Sequence, residues 1–285
     1  MEYFKLNNGV QIPAQGFGTY LNTDDDVCRL SVLTALGAGI RRIDTAAVYE
    51  NEEAVAAGIR QSGIPREDIF LSTKLWLSYC GYDKVRRGFE NSLRRLQTDY
   101  VDLFMIHWPF VELEGTWKAM EELYREGKIR AIGVCNCRKG DLERILKTCD
   151  IVPVLNQLET HPLNQQKELR AFNSRFGIFT ESWATLGRAL PEVIGNETIL
   201  SLAEKYKKTP AQILLRWCFQ EGMSCVPKST SIVRIVENTR IWDFSLEEVD
   251  MERIRNLDRG KRLVSKIDPD DPVIVDKVIH EEHDI

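Results

Sequence analysis

The sequence predicts a closed (β/α)8 TIM barrel, and three observations carry that reading. Short strands alternate with amphipathic helices, with no linker or low-complexity segment between them. Most of the strands are continuous apolar runs, the pattern of strands covered on both faces, as in a parallel barrel inside a ring of helices. No Gly-x-Gly-x-x-Gly stands at a strand-to-helix turn, which disfavours the runner-up, an open doubly wound sheet. A chain of 285 residues can build one such domain, 1–285, with a substantial core.

The elements follow in order. Residues 3–6 and 10–12 flank Asn7-Asn8-Gly9 and read as an N-terminal β-hairpin. Gln15-Gly16-Phe17-Gly18-Thr19 is a Gly-rich first barrel strand. A helix is expected from Thr23, with Asp26 completing a capping box and Val27, Leu30, Leu33 and Leu36 on its buried side; Gly37 and Gly39 stop it. Strand 40–43 precedes helix 51–61. Strand 69–73 precedes a helix with Val85, Phe89, Leu93 and Leu96 at helical spacing, its Arg86-Arg87 and Arg94-Arg95 pairs forming a solvated face. Strand 101–106 leads to a helix bearing Trp117, Met120 and Tyr124, closed at Gly127. Strand 129–134 leads to one bearing Leu142, Ile145 and Leu146. Strand 152–155 precedes helix 165–174, and strand 177–181 precedes helical stretches 197–207 and 210–220. Strand 224–227 completes the set and leads to 232–238. Ser245-Leu246-Glu247-Glu248 reads as a second capping box opening a further helix. Asp268-Pro269-Asp270-Asp271-Pro272 reads as a turn-rich linker before an extra C-terminal helix over 273–279.

Composition narrows the function classes. A net charge of −5, with Lys and Arg scattered, argues against nucleic acid and anionic membranes as partners. The N-terminus lacks a basic segment followed by an apolar core, and no apolar run reaches membrane-spanning length. Seven cysteines without framework spacing fit reduced thiols, hence a cytoplasmic location. Cys135-Asn136-Cys137 has no second pair or nearby His to make a metal site, so no metal is expected. His280-Glu281-Glu282-His283 either sets two imidazoles together or forms a solvated terminus.

Barrel chemistry sits at the C-terminal strand ends. Asp44 ends the second strand and Tyr49 follows it; Lys74 ends the third and His107 the fourth. Neighbouring strands lie roughly 5 Å apart, so these four side chains are expected to meet. Asp44 then serves as counter-charge to Lys74, whose ammonium is expected to lower the phenol of Tyr49 from its ordinary value of about 10. A phenol so tuned can act as a general acid, and a neutral His107 can orient a carbonyl oxygen. Each residue alone reads equally as a turn cap, a rim aromatic, a snorkelling lysine or a core imidazole. No nucleophilic triad accompanies them, and one His is too few for a catalytic metal. A proton donor with a carbonyl-orienting group and no nucleophile calls for hydride from a bound cofactor.

These residues carry a family resemblance. Gly39-Ile40-Arg41-Arg42-Ile43-Asp44-Thr45-Ala46 with Tyr49, Asn51 and Glu52, then Ser72-Thr73-Lys74 and Ile106-His107-Trp108-Pro109, resemble the aldo-keto reductase superfamily. Further matching blocks are Gly127-Lys128-Ile129-Arg130-Ala131-Ile132-Gly133-Val134, Asn156-Gln157-Leu158-Glu159-Thr160-His161-Pro162, and Val226-Pro227-Lys228-Ser229 with Arg234, Glu237 and Asn238. The pattern is most similar to bacterial members such as 2,5-diketo-gluconate and methylglyoxal reductases.

The resemblance implies an NADPH-dependent oxidoreductase that reduces aldehydes or ketones to alcohols, with catalytic Asp44, Tyr49, Lys74 and His107. It implies a cofactor site of Thr19, Asn136, Gln157, Trp183, Leu186, Lys228, Ser229, Arg234, Glu237 and Asn238. Within it Trp183 stacks on the nicotinamide, and Asn136 and Gln157 hold the carboxamide. Lys228, Ser229 and Arg234 suit the extra phosphate of NADPH, although the 228–238 stretch also reads as an ordinary charged helix start. Tyr20, Trp76 and Trp108 are expected to wall the substrate pocket. The implied partner is a small-molecule carbonyl substrate of a monomer, or at most a weak dimer. Cys135 stands where the family commonly has Ser, and Thr185 where it has Pro. The tail beyond Lys261 diverges, in a segment that closes the pocket in the family. The competing reading is a non-catalytic NADPH-binding barrel acting as sensor or partner subunit, which has no need of a tuned phenol.

Overall fold

A computed structural model of the chain describes residues 2–263, 265, 267, 271–281, 283 and 285. Strands β1 (Tyr3–Lys5) and β2 (Gln11–Pro13) pair antiparallel, Tyr3 opposite Pro13 and Lys5 opposite Gln11. The turn works because Gly9 takes φ +87° while the Leu6 N–H reaches the Val10 carbonyl at 2.9 Å. This hairpin plugs the N-terminal mouth of the barrel: Leu6 and Ile12, with Phe4 and Val10, pack on Phe70, Leu103, Leu155 and Phe179.

The barrel strands are β3 (Phe17–Gly18), β4 (Arg42–Asp44), β5 (Phe70–Leu75), β6 (Leu103–Ile106), β7 (Ile132–Cys135), β8 (Leu155–Glu159), β9 (Phe179–Trp183) and β10 (Ser224–Cys225). Among the described residues they form one parallel sheet in sequence order. A parallel bridge between Gln15 and Cys225 brings the first and last strands together, with the Gly16 N–H on the Cys225 carbonyl at 2.8 Å. Gly18 permits that closure, since a Cβ there would stand 2.6 Å from the Val226 carbonyl oxygen. The barrel is therefore the architecture, not the open sheet.

Helices α1 (Asp25–Gly37), α2 (Glu52–Gln61), α3 (Val85–Leu96), α4 (Leu113–Arg125), α5 (Lys139–Thr148) and α6 (Lys167–Arg175) follow successive strands. After β9 come α7 (Pro191–Ile194), α8 (Glu197–Tyr206) and α9 (Pro210–Gln220); α10 (Ile232–Asn238), α11 (Glu248–Arg255) and α12 (Pro272–His280) complete the chain. Among the described residues no helix is long and apolar enough to cross a membrane.

Several expectations are corrected. The N-cap of α1 is Asp24, which accepts from the Val27 N–H at 2.9 Å, so Thr23 is not its cap. The buried face of α1 is Cys28, Ser31, Val32, Ala35 and Leu36, whereas Val27 and Leu30 are exposed. The reason is close approach to α2, where a Cβ on Gly58 would lie 2.8 Å from both the Arg29 carbonyl oxygen and Val32 Cβ. Glycine at 58 fits such a seam, and of the expected leucines Leu36 alone lies on the buried face. Gly58→Ala is accordingly expected to destabilise the protein by about 1–3 kcal/mol through overpacking; an unchanged midpoint in urea unfolding would contradict this.

The expected solvated face of α3 is also incomplete, because Arg95 Nε bonds the buried Glu52 carboxylate at 2.8 Å. Glu247 caps α11 with no side-chain bond, and Ser245 instead accepts from Arg216, so the second capping box does not form. Helix α7 was not foreseen. Strands expected at 129–134, 152–155 and 177–181 lie further along, at β7, β8 and β9. Apolar runs mark only the lower part of these strands; their upper parts carry buried polar residues such as Gln157, Glu159 and Glu181.

Candidate active site

The site grows from the period-two geometry of the strands, which turns alternate residues into the barrel. On β4 this sends Arg42 and Asp44 inward, and on β5 it sends Ser72 and Lys74. Lys74 is fully buried, and its Nζ donates to Asp44 Oδ2 at 2.6 Å and to the Thr45 carbonyl at 2.8 Å. Ser72 Oγ donates to Asp44 Oδ1 at 2.8 Å. After β4 a single 3-10 turn (Ala47–Tyr49) lifts the phenol of Tyr49 to within 3.5 Å of Lys74 Nζ. Glu50 then takes φ +55° and redirects the chain into α2.

His107 lies one residue beyond β6, its ring edge-on to Tyr49 at 5.6 Å and to Trp76 at 5.3 Å between centroids. The structure thus brings Asp44, Tyr49, Lys74 and His107 together. Burial and the Lys74 ammonium both hold the His107 imidazole well below its ordinary value, so it is neutral at pH 7. Burial is the largest single influence on Lys74 and opposes its charge, yet the Asp44 carboxylate and smaller contributions from Tyr49 and Cys135 together hold the ammonium above its ordinary value. For Tyr49 the balance goes the other way. Burial pushes the phenol up to about 12, against the pull of Lys74 and with a further push from Asp44. The expected net lowering is therefore corrected: Lys74 does favour phenolate, but desolvation is the larger effect, and Tyr49 keeps its proton at neutral pH.

The expected cofactor residues border this cluster. Asn136, at φ +58°, donates from Nδ2 to the His107 carbonyl and accepts from Trp183 Nε1, both at 3.0 Å. Gln157 is buried, and its amide donates to Asp44 Oδ1 at 3.3 Å and Glu181 Oε1 at 2.7 Å. Both amides therefore serve the barrel already; the Gln157 oxygen also accepts weakly from Cys135 Sγ at 3.8 Å, which leaves for a ligand one Asn136 hydrogen and one lone pair of that oxygen. Thr19 is buried with its hydroxyl on the Asp44 carbonyl at 3.2 Å, and Leu186 lies in the loop after Trp183.

Lys228 is exposed and Ser229 buried beside it, while exposed Arg234 stands in the first turn of α10. Burial together with the cations of Arg188 and Arg234 lowers Lys228 from its ordinary value. Among the described residues none of these three cations is ion-paired, so they form an uncompensated positive cluster fit for phosphate. Glu237 and Asn238 end α10; Glu237 Oε1 accepts from Thr209 Oγ1 at 2.9 Å, and the Asn238 carbonyl accepts from Gln15. Arg188 was missed in the sequence. It lies in a loop where Ala184, Gly187, Arg188 and Ala189 all take positive φ, which folds its guanidinium 5.5 Å over the Tyr20 ring. Only its place after Trp183 hinted at this.

Of the expected pocket wall, Tyr20 lies 5.0 Å from the Tyr49 ring, Trp76 abuts His107, and Trp108 stacks on Phe110 at 5.2 Å. The tail reaches the same rim. Buried Glu159 accepts from the backbone N–H groups of Leu263 and Ser265 at 2.7 and 3.1 Å, and Tyr79 Oη donates to the Ile285 carbonyl at 2.9 Å. His283 sets its ring 5.3 Å from Trp76, with Nδ1 3.6 Å from Glu50. The residues of His280-Glu281-Glu282-His283 do not form a metal cluster among the described residues, and Glu282 lies outside them. Residues 268–270 of the expected linker also lie outside the described residues.

Comparison with known proteins gives an independent view. The model of the aldo/keto reductase family matches residues 15–259. The chain is 44% identical to a glyoxal reductase of Bacillus subtilis over 91% of its own length and 94% of the relative's. It is 41% identical to the methylglyoxal reductase DkgA of Escherichia coli over 91% and 94% of the two chains. The solved structure of an aldo-keto reductase of Bombyx mori in complex with NADP superposes with a TM-score of 0.89 at 32% identity, covering 93% of this chain and 95% of that one.

Proposed function

This chain belongs to the aldo/keto reductase family and is an NADPH-dependent carbonyl-reducing oxidoreductase, and from that premise we propose that Tyr49 is the general acid that completes the reduction of small aldehydes or ketones. The observation that carries this reading is the buried chain from Asp44 through Lys74 to Tyr49, with bonds of 2.6 and 3.5 Å. The relatives' substrates make glyoxal and methylglyoxal the first compounds to try.

The residues divide the work as follows. Tyr49 holds a proton at neutral pH because burial keeps its phenol up near about 12. As charge develops on a carbonyl oxygen set against Tyr49 Oη, the proton moves to that oxygen, and Lys74 faces the phenolate left behind. Asp44 keeps Lys74 in place and charged. Neutral His107 has no partner at Nδ1 among the described residues, so carrying its proton on Nε2 forfeits no bond; from there it orients the carbonyl. Bound NADPH supplies the hydride. Lys228, Ser229 and Arg234, with Arg188 beside them, would hold its extra phosphate, and Glu237 and Asn238 its adenine. The Trp183 ring, with Thr19, Leu186, Asn136 and Gln157, bounds its nicotinamide end. Tyr20, Trp76, Trp108 and the tail exclude water from the pocket.

The four reacting side chains come from one chain, which supports a monomer as the working unit. Seven unpaired thiols support a reducing compartment, the cytoplasm. A buried Asp44–Lys74 pair set against a phenol is superfluous in a nucleotide sensor, which disfavours the non-catalytic alternative.

The direct test is loss of NADPH absorbance on adding glyoxal, methylglyoxal or a panel of aldehydes and ketones; no turnover with any of them would overturn the reading. A second prediction concerns the cofactor end. Lys228→Met or Arg234→Gln is expected to weaken NADPH about 10–100-fold, the worth of one charge-assisted bond, and to leave NADH affinity unchanged. Fluorescence titration with both nucleotides measures this, and equal losses for the two would contradict it.

A further inference from the structure

Beneath the proposed catalytic residues lies a second buried ion pair that the chemistry above does not use. Arg42 on β4 and Glu181 on β9 are both completely buried, and their side chains form a two-pronged pair inside the barrel. Ser224 Oγ donates to Glu181 Oε2 at 2.7 Å. The stem of Arg42 is accommodated by Gly16, where a Cβ would meet Arg42 Cγ at 3.1 Å. Its guanidinium lies 5.5 Å over the Phe70 ring. Such a pair is weak grounds for stability, since well-packed apolar replacements are often neutral or better. Its presence calls for another role, and the geometry supplies one. The Gln157 amide donates to Glu181 and Asp44 at once, so one neutral group joins the Arg42–Glu181 pair to the Asp44–Lys74 pair.

We propose that Arg42 and Glu181 are a positioning pair which, through Gln157, fixes Asp44 and sets how readily Tyr49 gives up its proton. This rests on the reading of Tyr49 as general acid. Four buried charges, Arg42, Glu181, Asp44 and Lys74, sum to zero, so deleting either member of the lower pair leaves a net field on the phenol, of opposite sign in the two cases. Coupling to Asp44 is visible at Arg42, where burial lowers the guanidinium to about 10 and the Asp44 carboxylate works against that. The other titratable groups near the cluster are His107, held neutral, the Cys135 thiol, held protonated by burial, the Cys225 thiol, held protonated by its hydrogen bond with Cys218 and by burial, and Tyr20, whose ring lies 5.0 Å from that of Tyr49.

The test is rapid pH-jump ultraviolet absorbance on the full chain, each variant differenced against the same background carrying Tyr49→Phe, so that only the Tyr49 phenolate is read before alkaline unfolding. Glu181→Gln is expected to lower the midpoint of that titration by about one pH unit, and Arg42→Met to raise it by a similar amount. Shifts of the same sign, or none, would overturn the proposal. Either single variant suffices, because each has its own sign. Should both fail to fold, the uncharged Arg42→Met/Glu181→Gln double variant decides: at saturating NADPH, kcat is expected to fall about tenfold or more, because Gln157 and Asp44 are then anchored only by a neutral amide that Arg42 no longer fixes. Wild-type kcat in the folded double variant would overturn it. Failure of the Tyr49 reading itself looks different, since turnover would then survive Tyr49→Phe whatever the phenolate midpoint does.

Discussion

Replacing Tyr49 by Phe is expected to lower kcat about 10²–10⁴-fold while NADPH still binds with unchanged affinity. The substitution removes one oxygen atom and keeps the ring, so the contacts of that ring with Tyr20 at 5.0 Å and His107 at 5.6 Å survive. The Asp44–Lys74 bond at 2.6 Å does not involve the phenol and persists as well. What is lost is the proton that must reach the developing alkoxide. Stopped-flow binding and steady-state turnover on the same preparation separate the two quantities. A variant that turns over at more than about a tenth of the wild-type rate would show that the proton comes from elsewhere.

Lys74→Met is expected to be the most damaging single change, for fold and chemistry together. It strips the counter-ion from a carboxylate that stays buried, a defect that typically costs about 3–5 kcal/mol. Ser72 and Gln157 still donate to Asp44, so the residue keeps hydrogen bonds but loses its neutralising charge. Because the folded structure raises Lys74 above its ordinary value, its contribution is fully present below the unfolded value of about 10.4. It is lost only as pH climbs through the folded value. The Lys74 part of the gap between wild type and variant should therefore be the same at about pH 6 and pH 9. Since protonation of the unpaired Asp44 can only relieve the variant at the lower pH, the gap should not narrow as pH rises. Urea unfolding at both values checks this, and a gap that closes across that range would refute it. Turnover should fall with it, since the phenolate of Tyr49 would then face Asp44 with no ammonium between them.

The barrel was legible because its strands are apolar and its helices periodic, two patterns that local sequence carries directly. The meeting of Asp44, Lys74 and His107 was legible too, because each stands where an apolar strand ends and neighbouring strands are adjacent in space. The same signal failed on β8, whose upper residues are polar yet buried, and ended it before Gln157 and Glu159; on β9 it reached Glu181 but stopped before Ser182 and Trp183. The buried face of α1 was misread in part because leucines suggested the core: Leu36 lies there, but at the close approach to Gly58 of α2 it is Val32 that meets the seam, and Val27 and Leu30 face out. The net direction at Tyr49 was misjudged for a related reason: a charge partner can be read from a motif, but the extent of desolvation cannot. Arg42 and Glu181 lie 139 positions apart, and only the period-two relation of Arg42 to Asp44 hinted that both face inward. Arg188 depends on a run of positive φ values in residues that seldom adopt them.

Glu159 grips the C-terminal strap by the main-chain amides of Leu263 and Ser265 and ignores their side chains. Any amino acid except proline preserves both of those bonds. The mooring is thus blind to spelling, and beyond it the apolar letters Ile267, Ile274, Val278, Ile279 and Ile285 must stay to pack on the core, which leaves the others open to rewriting. What confronts an incoming molecule beside Trp76 becomes an exchangeable fitting on a permanent chassis, which makes this stretch the natural place to retrain the protein for a different guest.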